Sequence, residues 1–143
     1  MDIVHNVKIS TTPATLYELF TTESGMNKWW SMDCDIAREP GGVSKVRFTK
    51  DENKIEMCFR LDTLEPGEKM VWTCVENPNP AWIDTVLHFS VKPAGEQSDF
   101  TFKHTNWDAK WQGQIPYEQT KHGWEHFMNS LKNYCEKGIG EPW

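Results

Sequence analysis

The C-terminal end of the chain predicts one long amphipathic helix, from Pro116 to about Lys137. Apolar and aromatic side chains recur at helical spacing along one side of it, at Tyr117, Thr120, Trp124, Phe127, Met128, Leu131, Tyr134 and Cys135. A helix of about twenty residues is about 30 Å long, which is enough to lie across a whole sheet. Side chains as large as Trp124 and Phe127 need an apolar partner to cover them. The sequence therefore predicts a concave layer around this helix, with a pocket between the two.

The rest of the chain is dominated by segments of strand length in which apolar and polar residues alternate. The predicted strands cover residues 4–10, 34–38, 43–49, 55–64, 68–76, 82–92 and 98–105. Most of these segments are separated by short runs rich in Gly, Pro and Asn, which favour tight turns between antiparallel neighbours. Two short helices follow the first strand: one begins at Thr11 or Thr12, and the other carries Trp29 and Trp30. We therefore predict a single α+β domain over residues 1–143.

The alternation also predicts which side chains face the long helix. In segments 82–92 and 98–105 the large apolar residues share one side, and His104 falls on that inner side. In segment 55–64 the side that carries Phe59 and Leu61 should be buried. The opposite register would bury Arg60, a cation that would then need a partner.

Length and composition limit the possible functions. A chain of 143 residues has room for one core. The formal net charge of -6 disfavours a nucleic-acid partner, because phosphate binding needs a basic face. The sequence contains no apolar stretch of membrane-spanning length and no signal-peptide core near its start, so we expect a cytoplasmic protein without a membrane partner. The four cysteines are far apart and favour buried free thiols, although their spacing leaves disulfides open.

His104 is the main candidate for polar chemistry on the predicted inner face. It could orient a ligand carbonyl or hydroxyl, act as a general acid or base, or be a hydrogen-bonded core histidine. No second group is placed to form a nucleophile–base pair with it, so we predict no catalytic residue. His122 and His126 have the i, i+4 spacing of a helical metal site but lie on the polar side, which favours surface histidines. We therefore expect neither a metal nor a cofactor.

The chain contains eight tryptophans, an unusual number for its length. Their flat faces could stack on a ring-bearing or polyene ligand, although several of them could instead simply fill the core. The residues predicted to contact a ligand are Trp29, Trp30, Phe59, Trp72, Cys74, Phe89, Phe102, His104, Trp107, Trp124 and Phe127.

Several short motifs, taken in order, resemble a known family. They are the helix motif at 12–20, Lys28-Trp29-Trp30, Gly41-Gly42, Leu64-Glu65-Pro66 ahead of 70–73, His104 followed by Trp107, and a closing motif from Gly123-Trp124 to Pro142-Trp143. Together they are similar to the START-related (SRPBCC, Bet v 1-like) domains of the activator-of-Hsp90-ATPase type. The resemblance implies a helix-grip fold, in which a curved antiparallel sheet of about six or seven strands wraps around a long C-terminal helix, with two short helices after the first strand.

The resemblance leaves the function open, because a fold alone does not choose among the activities it carries. Relatives include binders of lipids, hormones and polyketides, cyclase enzymes and a co-chaperone domain. Our first expectation is binding of a small, largely apolar or aromatic ligand in a cavity between the sheet and the C-terminal helix. The alternatives are a protein-interaction module that binds a chaperone, as an Hsp90 co-chaperone does, and a polyketide cyclase-like enzyme. Monomer and homodimer both fit the sequence.

Overall fold

A seven-stranded antiparallel sheet lies against a C-terminal helix in the computed structural model, which describes residues 1–143. The strands are β1 (Ile3–Ile9), β2 (Asp33–Asp35), β3 (Val43–Lys50), β4 (Asn53–Glu65), β5 (Lys69–Glu76), β6 (Val86–Ala94) and β7 (Gln97–Thr105), in the spatial order β1-β7-β6-β5-β4-β3-β2. The helices are α1 (Pro13–Thr21), α2 (Glu23–Trp29) and α3 (Ile115–Lys137). The predicted α+β, helix-grip architecture is thus confirmed. No helix combines the length and the apolar composition that a membrane span requires.

The helix boundaries follow from the residues at their ends. The Thr12 hydroxyl accepts a hydrogen bond from the Thr15 backbone N–H at 3.2 Å, and Pro13 occupies the first turn of α1. Thr22 caps α2 in the same way, by accepting from the Gly25 N–H at 3.0 Å. At its C-terminal end α3 stops at Gly138, whose φ of 80° is the left-handed conformation that glycine adopts without strain.

Two predicted strands are shorter than expected. The strand predicted at 34–38 spans only Asp33–Asp35, because side chains take over the next backbone N–H groups: Ile36 donates to Glu23 Oε1 at 3.0 Å and Ala37 to Ser44 Oγ at 2.8 Å. The strand predicted at 82–92 begins at Val86. Trp82 instead ends a 3-10 turn, Pro80–Trp82, and Asp84 adopts a φ of 67° that extended chain cannot contain.

The edge strand β2 is held to its neighbours by ion pairs on the outer face of the sheet. The Arg47 guanidinium in β3 contacts Asp33 and Asp35 of β2 at 3.0 and 2.7 Å, and Glu56 of β4 at 2.8 Å. A planar guanidinium presents several donors in a fixed fork, which suits it to joining carboxylates from two sides. Arg47 therefore links three strands at an edge where β2 contributes only three residues.

The predicted alternation is confirmed on the inner face of the sheet. Phe89, Phe102 and His104 are fully buried, as predicted for β6 and β7. In β4 the side chain of Phe59 is buried, while Arg60 points to the outer face and pairs with Asp62 at 2.8 Å. The alternative register, which would have buried Arg60, does not occur.

All four cysteines are free thiols, as expected: Cys34, Cys58 and Cys74 are buried and Cys135 is half-buried. Burial raises the pKa of Cys74 to about 12 and that of Cys34 to about 11, because a thiolate is poorly solvated in an apolar core. These two thiols therefore behave as small core residues at neutral pH.

Gly25 allows the two short helices to pack closely, and we expect Gly25→Ala to lower the free energy of unfolding by about 1–3 kcal/mol. A Cβ atom at this position would collide with the Glu18 carbonyl oxygen and lie 2.6 Å from Leu19 Cα, both of them backbone atoms. The matched control is Gly123→Ala in α3, where an added Cβ meets nothing within 4 Å. Removing the helical glycine there should stabilise the protein by up to about 1 kcal/mol. Urea denaturation of both variants measures these changes, and equal changes in the free energy of unfolding would contradict the prediction.

Candidate functional site

An apolar cavity of about 530 Å³ lies between α3 and the β3–β4 hairpin. Its apolar walls are Trp30, Phe48, Ile55, Met57, Trp82, Pro116, Trp124, Phe127 and Trp143. Its other lining residues are Thr49, Lys50, Asn79, Gln119, Thr120 and Gly123. Concave, mostly apolar sites of about 300–1,000 Å³ with a few polar groups are typical of small-molecule binding sites.

One face of α3 forms the roof of this cavity. The lining residues of the helix are Pro116, Gln119, Thr120, Gly123, Trp124 and Phe127, whose spacing places them on a single stripe. This stripe runs about 16 Å along the helix axis. On the sheet side, Phe48 and Ile55 face each other across the β3–β4 pair, next to Met57. The cavity is therefore bounded by the two elements that the sequence predicted to enclose it.

Gly123 widens the cavity at the middle of its roof. A glycine inside a helix lowers helix stability by about 1 kcal/mol relative to alanine, so its presence needs a structural explanation. Here a Cβ would meet nothing within 4 Å, which shows that the position faces open space rather than a close backbone contact. A larger side chain at this position would occupy space that is empty in the present structure.

Trp30 forms the boundary between the open cavity and the filled core. Its ring lies 5.3 Å from Trp124 and 6.4 Å from Phe127, which also line the cavity. It also lies 6.2 Å from Trp72 and 6.4 Å from Phe59, which are buried in the core and do not line the cavity. Only 1% of Trp30 is exposed, so this ring contributes to both packing and cavity wall.

The C-terminal residues complete the wall. The Trp143 N–H donates to the Trp30 carbonyl at 2.8 Å, and the Met32 N–H donates to the Trp143 backbone oxygen at 2.9 Å. The Trp143 ring stacks on His126 at 4.7 Å and meets Phe127 edge-on at 4.8 Å. His126 thus packs against the tail, to which it is also hydrogen-bonded through the Glu141 carbonyl at 3.0 Å. The tail is held in place by backbone hydrogen bonds as well as by stacking.

His104 lies behind the cavity wall, inside a closed hydrogen-bond chain. The Trp124 indole N–H donates to His104 Nδ1 at 3.1 Å. Because an indole can only donate, Nδ1 is the unprotonated nitrogen and the hydrogen sits on Nε2, which donates to Thr85 Oγ1 at 2.8 Å. The Thr85 hydroxyl in turn donates to the Trp82 carbonyl at 2.5 Å. Every polar atom of the imidazole has a partner from the protein, and the Trp82 and Trp124 rings lie between the histidine and the cavity.

Burial, together with the smaller effect of the nearby His88, lowers the pKa of His104 to about 3. The hydrogen-bond chain also lowers the pKa of His104, because a proton on Nδ1 would point at the Trp124 N–H, and two donors cannot form a hydrogen bond. His104 is therefore neutral at physiological pH, and it positions the Trp124 ring that lines the cavity.

The predicted ligand-contacting residues divide into two groups. Trp30, Trp124 and Phe127 line the cavity. The others lie away from the cavity lining, in the core: Trp29, Phe59, Trp72, Cys74, Phe89, Phe102, His104 and Trp107. Trp29, for example, donates its indole N–H to the Leu19 carbonyl at 2.7 Å. The part of the second group in ligand binding stays a prediction.

Some lining residues were not anticipated from the sequence. Trp82 reaches the cavity from the 3-10 turn, where its indole N–H donates to Thr120 Oγ1 at 2.9 Å. Phe48 and Ile55 could have been found, because they continue the inner rows of β3 and β4 that also hold Val46 and Phe59. The mid-helix Gly123 was the other available signal.

The chain is similar to one family of proteins along most of its length. The sequence profile of the family described as "Activator of Hsp90 ATPase homolog 1-like protein" matches residues 10–136. The Aha1 dimer from Colwellia psychrerythraea, whose structure was determined in solution, is 26% identical, covers 98% of this chain and 99% of its own, and superposes with a TM-score of 0.80. A comparison with curated proteins finds no match.

Two more distant structures share the fold. Protein SSP2350 from Staphylococcus saprophyticus is 18% identical, with a TM-score of 0.77 and coverage of 99% of this chain and 96% of its own. DynU16, from the dynemicin biosynthetic locus, is 16% identical, with a TM-score of 0.79 and coverage of 97% of this chain but 48% of its own. At these identities the similarity concerns the fold alone.

Proposed function

The chain belongs to the family of activator of Hsp90 ATPase homolog 1-like proteins, and on this premise we propose that it binds a small, largely apolar or aromatic ligand between α3 and the β3–β4 hairpin. Family membership supports a ligand-binding or Hsp90-ATPase-activator-like domain. The observation that favours the first is the cavity of about 530 Å³, whose walls include six aromatic side chains: Trp30, Phe48, Trp82, Trp124, Phe127 and Trp143.

The walls favour a ligand with flat or extended apolar groups. Trp30 and Trp124 lie 5.3 Å apart by ring centroid, and Phe127 meets Trp124 edge-on at 6.1 Å. Aromatic rings in this arrangement present both faces and edges, which suits them to offset stacking and edge-to-face contacts with a guest ring. Removing such a ligand from water would supply most of the binding free energy, at roughly 25 cal/mol per Å² of apolar surface buried.

The lining of the cavity supports binding more than a reaction. Lys50 is its only titratable side chain. A cyclase-like reaction would need a group that gains or loses a proton near neutral pH within hydrogen-bond reach of the substrate. His104 does not line the cavity, and its pKa of about 3 keeps it neutral.

Filling the cavity from its roof tests the proposal. We expect Gly123→Phe to weaken binding of the neutral fluorescent probe N-phenylnaphthylamine at least tenfold, a loss of about 1.4 kcal/mol or more. Gly123→Ala adds one methyl group to the same position and should bind nearly as well as the wild type. The measurement is a fluorescence titration, supported by circular dichroism to show that both variants are folded.

The proposal would be wrong if no compound in a library of aromatic, lipid and polyketide molecules gave a saturable signal with the wild-type protein. It would also be wrong if Gly123→Phe bound the probe as tightly as Gly123→Ala, since the probe would then occupy another part of the surface.

A second candidate function is interaction with a chaperone or with another copy of the chain. The Colwellia relative is described as a dimer. In this chain Met32 and Trp143 are 66% and 56% exposed and are joined by a backbone hydrogen bond, so two exposed apolar residues are neighbours at the surface. Stimulation of Hsp90 ATPase activity that persists in Gly123→Phe would support a surface-mediated role, and light scattering would detect a homodimer. The cytoplasmic location expected from the sequence stays a prediction.

A further inference from the structure

The charge of the cavity lining narrows the class of ligand. Although the chain carries 21 acidic and 15 basic residues, no Asp or Glu lines the cavity. The single charged side chain in the lining is Lys50, at the end of β3. Among the side chains of the walls, a ligand in this cavity therefore meets one positive charge and no negative charge.

Lys50 has no carboxylate within 4.0 Å, whereas the neighbouring Lys54 lies 3.7 Å from Asp33 and Lys69 lies 3.6 Å from Glu65. The acidic residues Asp51 and Glu52 follow Lys50 in the hairpin turn, but neither pairs with it. The positive charge at the cavity thus forms no salt bridge within the protein.

Two of the other polar side chains of the lining use an acceptor within the protein, whereas Thr49 and Gln119 make no side-chain hydrogen bond and offer both donors and acceptors. Thr120 Oγ1 accepts from the Trp82 indole and donates to the Pro116 carbonyl at 2.8 Å, so both roles of this hydroxyl are taken. Asn79 Oδ1 accepts from the Ala81 N–H at 3.1 Å, which leaves the Asn79 amide nitrogen as its free polar atom. An amide nitrogen and an ammonium group can only donate, and an anionic oxygen is the partner that satisfies both.

We infer that the ligand is an apolar acid: a ring-bearing or aliphatic body that packs against Trp124 and Phe127, with one carboxylate or similar anionic group directed to Lys50. This inference rests on the proposed function, because it assigns a ligand class to the same cavity. The apolar body supplies most of the affinity, and the acid supplies orientation and a charge preference.

A matched pair of probes tests the charge preference. Naphthaleneacetate and its neutral amide, naphthaleneacetamide, have nearly the same shape and differ in charge. Because Lys50 is solvent-exposed, the ion pair is expected to favour the acid by about two- to fivefold in Kd at low ionic strength. The preference should shrink in high salt, which screens exposed charges. Isothermal titration calorimetry measures both affinities directly.

Variants of the two hairpin lysines show which of them causes the preference for the acid. Lys50→Met keeps the aliphatic stem and should remove the preference, while Lys50→Glu should reverse it in favour of the amide. Lys54→Met removes a charge from the same hairpin at a residue that does not line the cavity, and should retain the preference.

The possible results separate this inference from the proposed function. If the wild-type protein binds acid and amide equally, and Gly123→Phe weakens both, the cavity binds ligands but the inference of an acid is wrong. The inference is also wrong if Lys50→Met retains the preference. If neither naphthalene probe nor any compound of the library binds the wild-type protein, the proposed function and the inference are both wrong.

Discussion

Lowering the pH from about 7 to about 4 is expected to remove about 3 kcal/mol from the free energy of unfolding through His104 alone, because burial lowers the pKa of this residue to about 3. In the unfolded chain the same side chain should titrate near its usual value of about 6.5. Above that pH the histidine is neutral in both states and contributes no pH dependence. Below it the unfolded state binds a proton that the folded state does not, so stability falls until the pH approaches about 3.

The measurement is a set of urea denaturation curves between these two pH values for the wild type and His104→Gln. A glutamine amide can accept from Trp124 through its oxygen and donate to Thr85 through its nitrogen, but it does not titrate. Carboxylates and His88, whose pKa is also lowered by burial, contribute to both proteins and cancel in the difference. Parallel pH profiles for the two proteins would show that His104 does not remain neutral in the folded state.

Replacing Trp30 by alanine is expected to destabilise the protein by about 3–5 kcal/mol, the usual cost of removing a large aromatic side chain from a core. The ring is 1% exposed and lies within 6.5 Å of neighbours from both the sheet and α3, including Phe59 at 6.4 Å and Trp124 at 5.3 Å. Its removal would leave a void beside Trp72 and Phe59 and would join the cavity to the core.

Trp143→Ala is the matched control, because Trp143 lines the same cavity but is 56% exposed. Removing this ring should lower the free energy of unfolding by less than about 1 kcal/mol, as for most surface positions. Guanidinium denaturation followed by far-UV circular dichroism gives both values. Equal losses for the two variants would mean that Trp30 does not join the core to the cavity wall in the way we describe.

Local patterns in the sequence predicted the elements of the fold and the direction of most side chains. The aromatic stripe of α3 was recognisable from helical spacing, and Pro116 and Gly138 mark its two ends. Alternation placed His104 and Phe59 inside and Arg60 outside, because side chains in a strand must point to opposite faces in turn. Where the prediction was wrong, as for Trp82, a turn with its own side-chain cap replaced the beginning of a strand.

The position of the cavity could not be predicted in the same way. Phe59 and Phe48 lie on the inner faces of adjacent strands, yet Phe59 is fully buried and packed against Trp72 at 5.0 Å, while Phe48 lines the cavity. Whether an inner side chain is covered depends on which rings from α1, α2 and the C-terminal tail reach it. These contacts join residues far apart in the chain, and neither periodicity nor turn chemistry encodes them.

The sequence by itself determined the α+β class, the inner and outer rows of the strands and the gripped helix, because each depends on near-neighbour spacing along the chain. Only the tertiary structure decided that His104 is enclosed by Trp82 and Trp124, that Trp30 divides core from cavity, and that Trp143 closes one side. Those outcomes depend on how large, rigid aromatic rings pack in the same interior, and this packing is defined only when all elements of the fold are assembled.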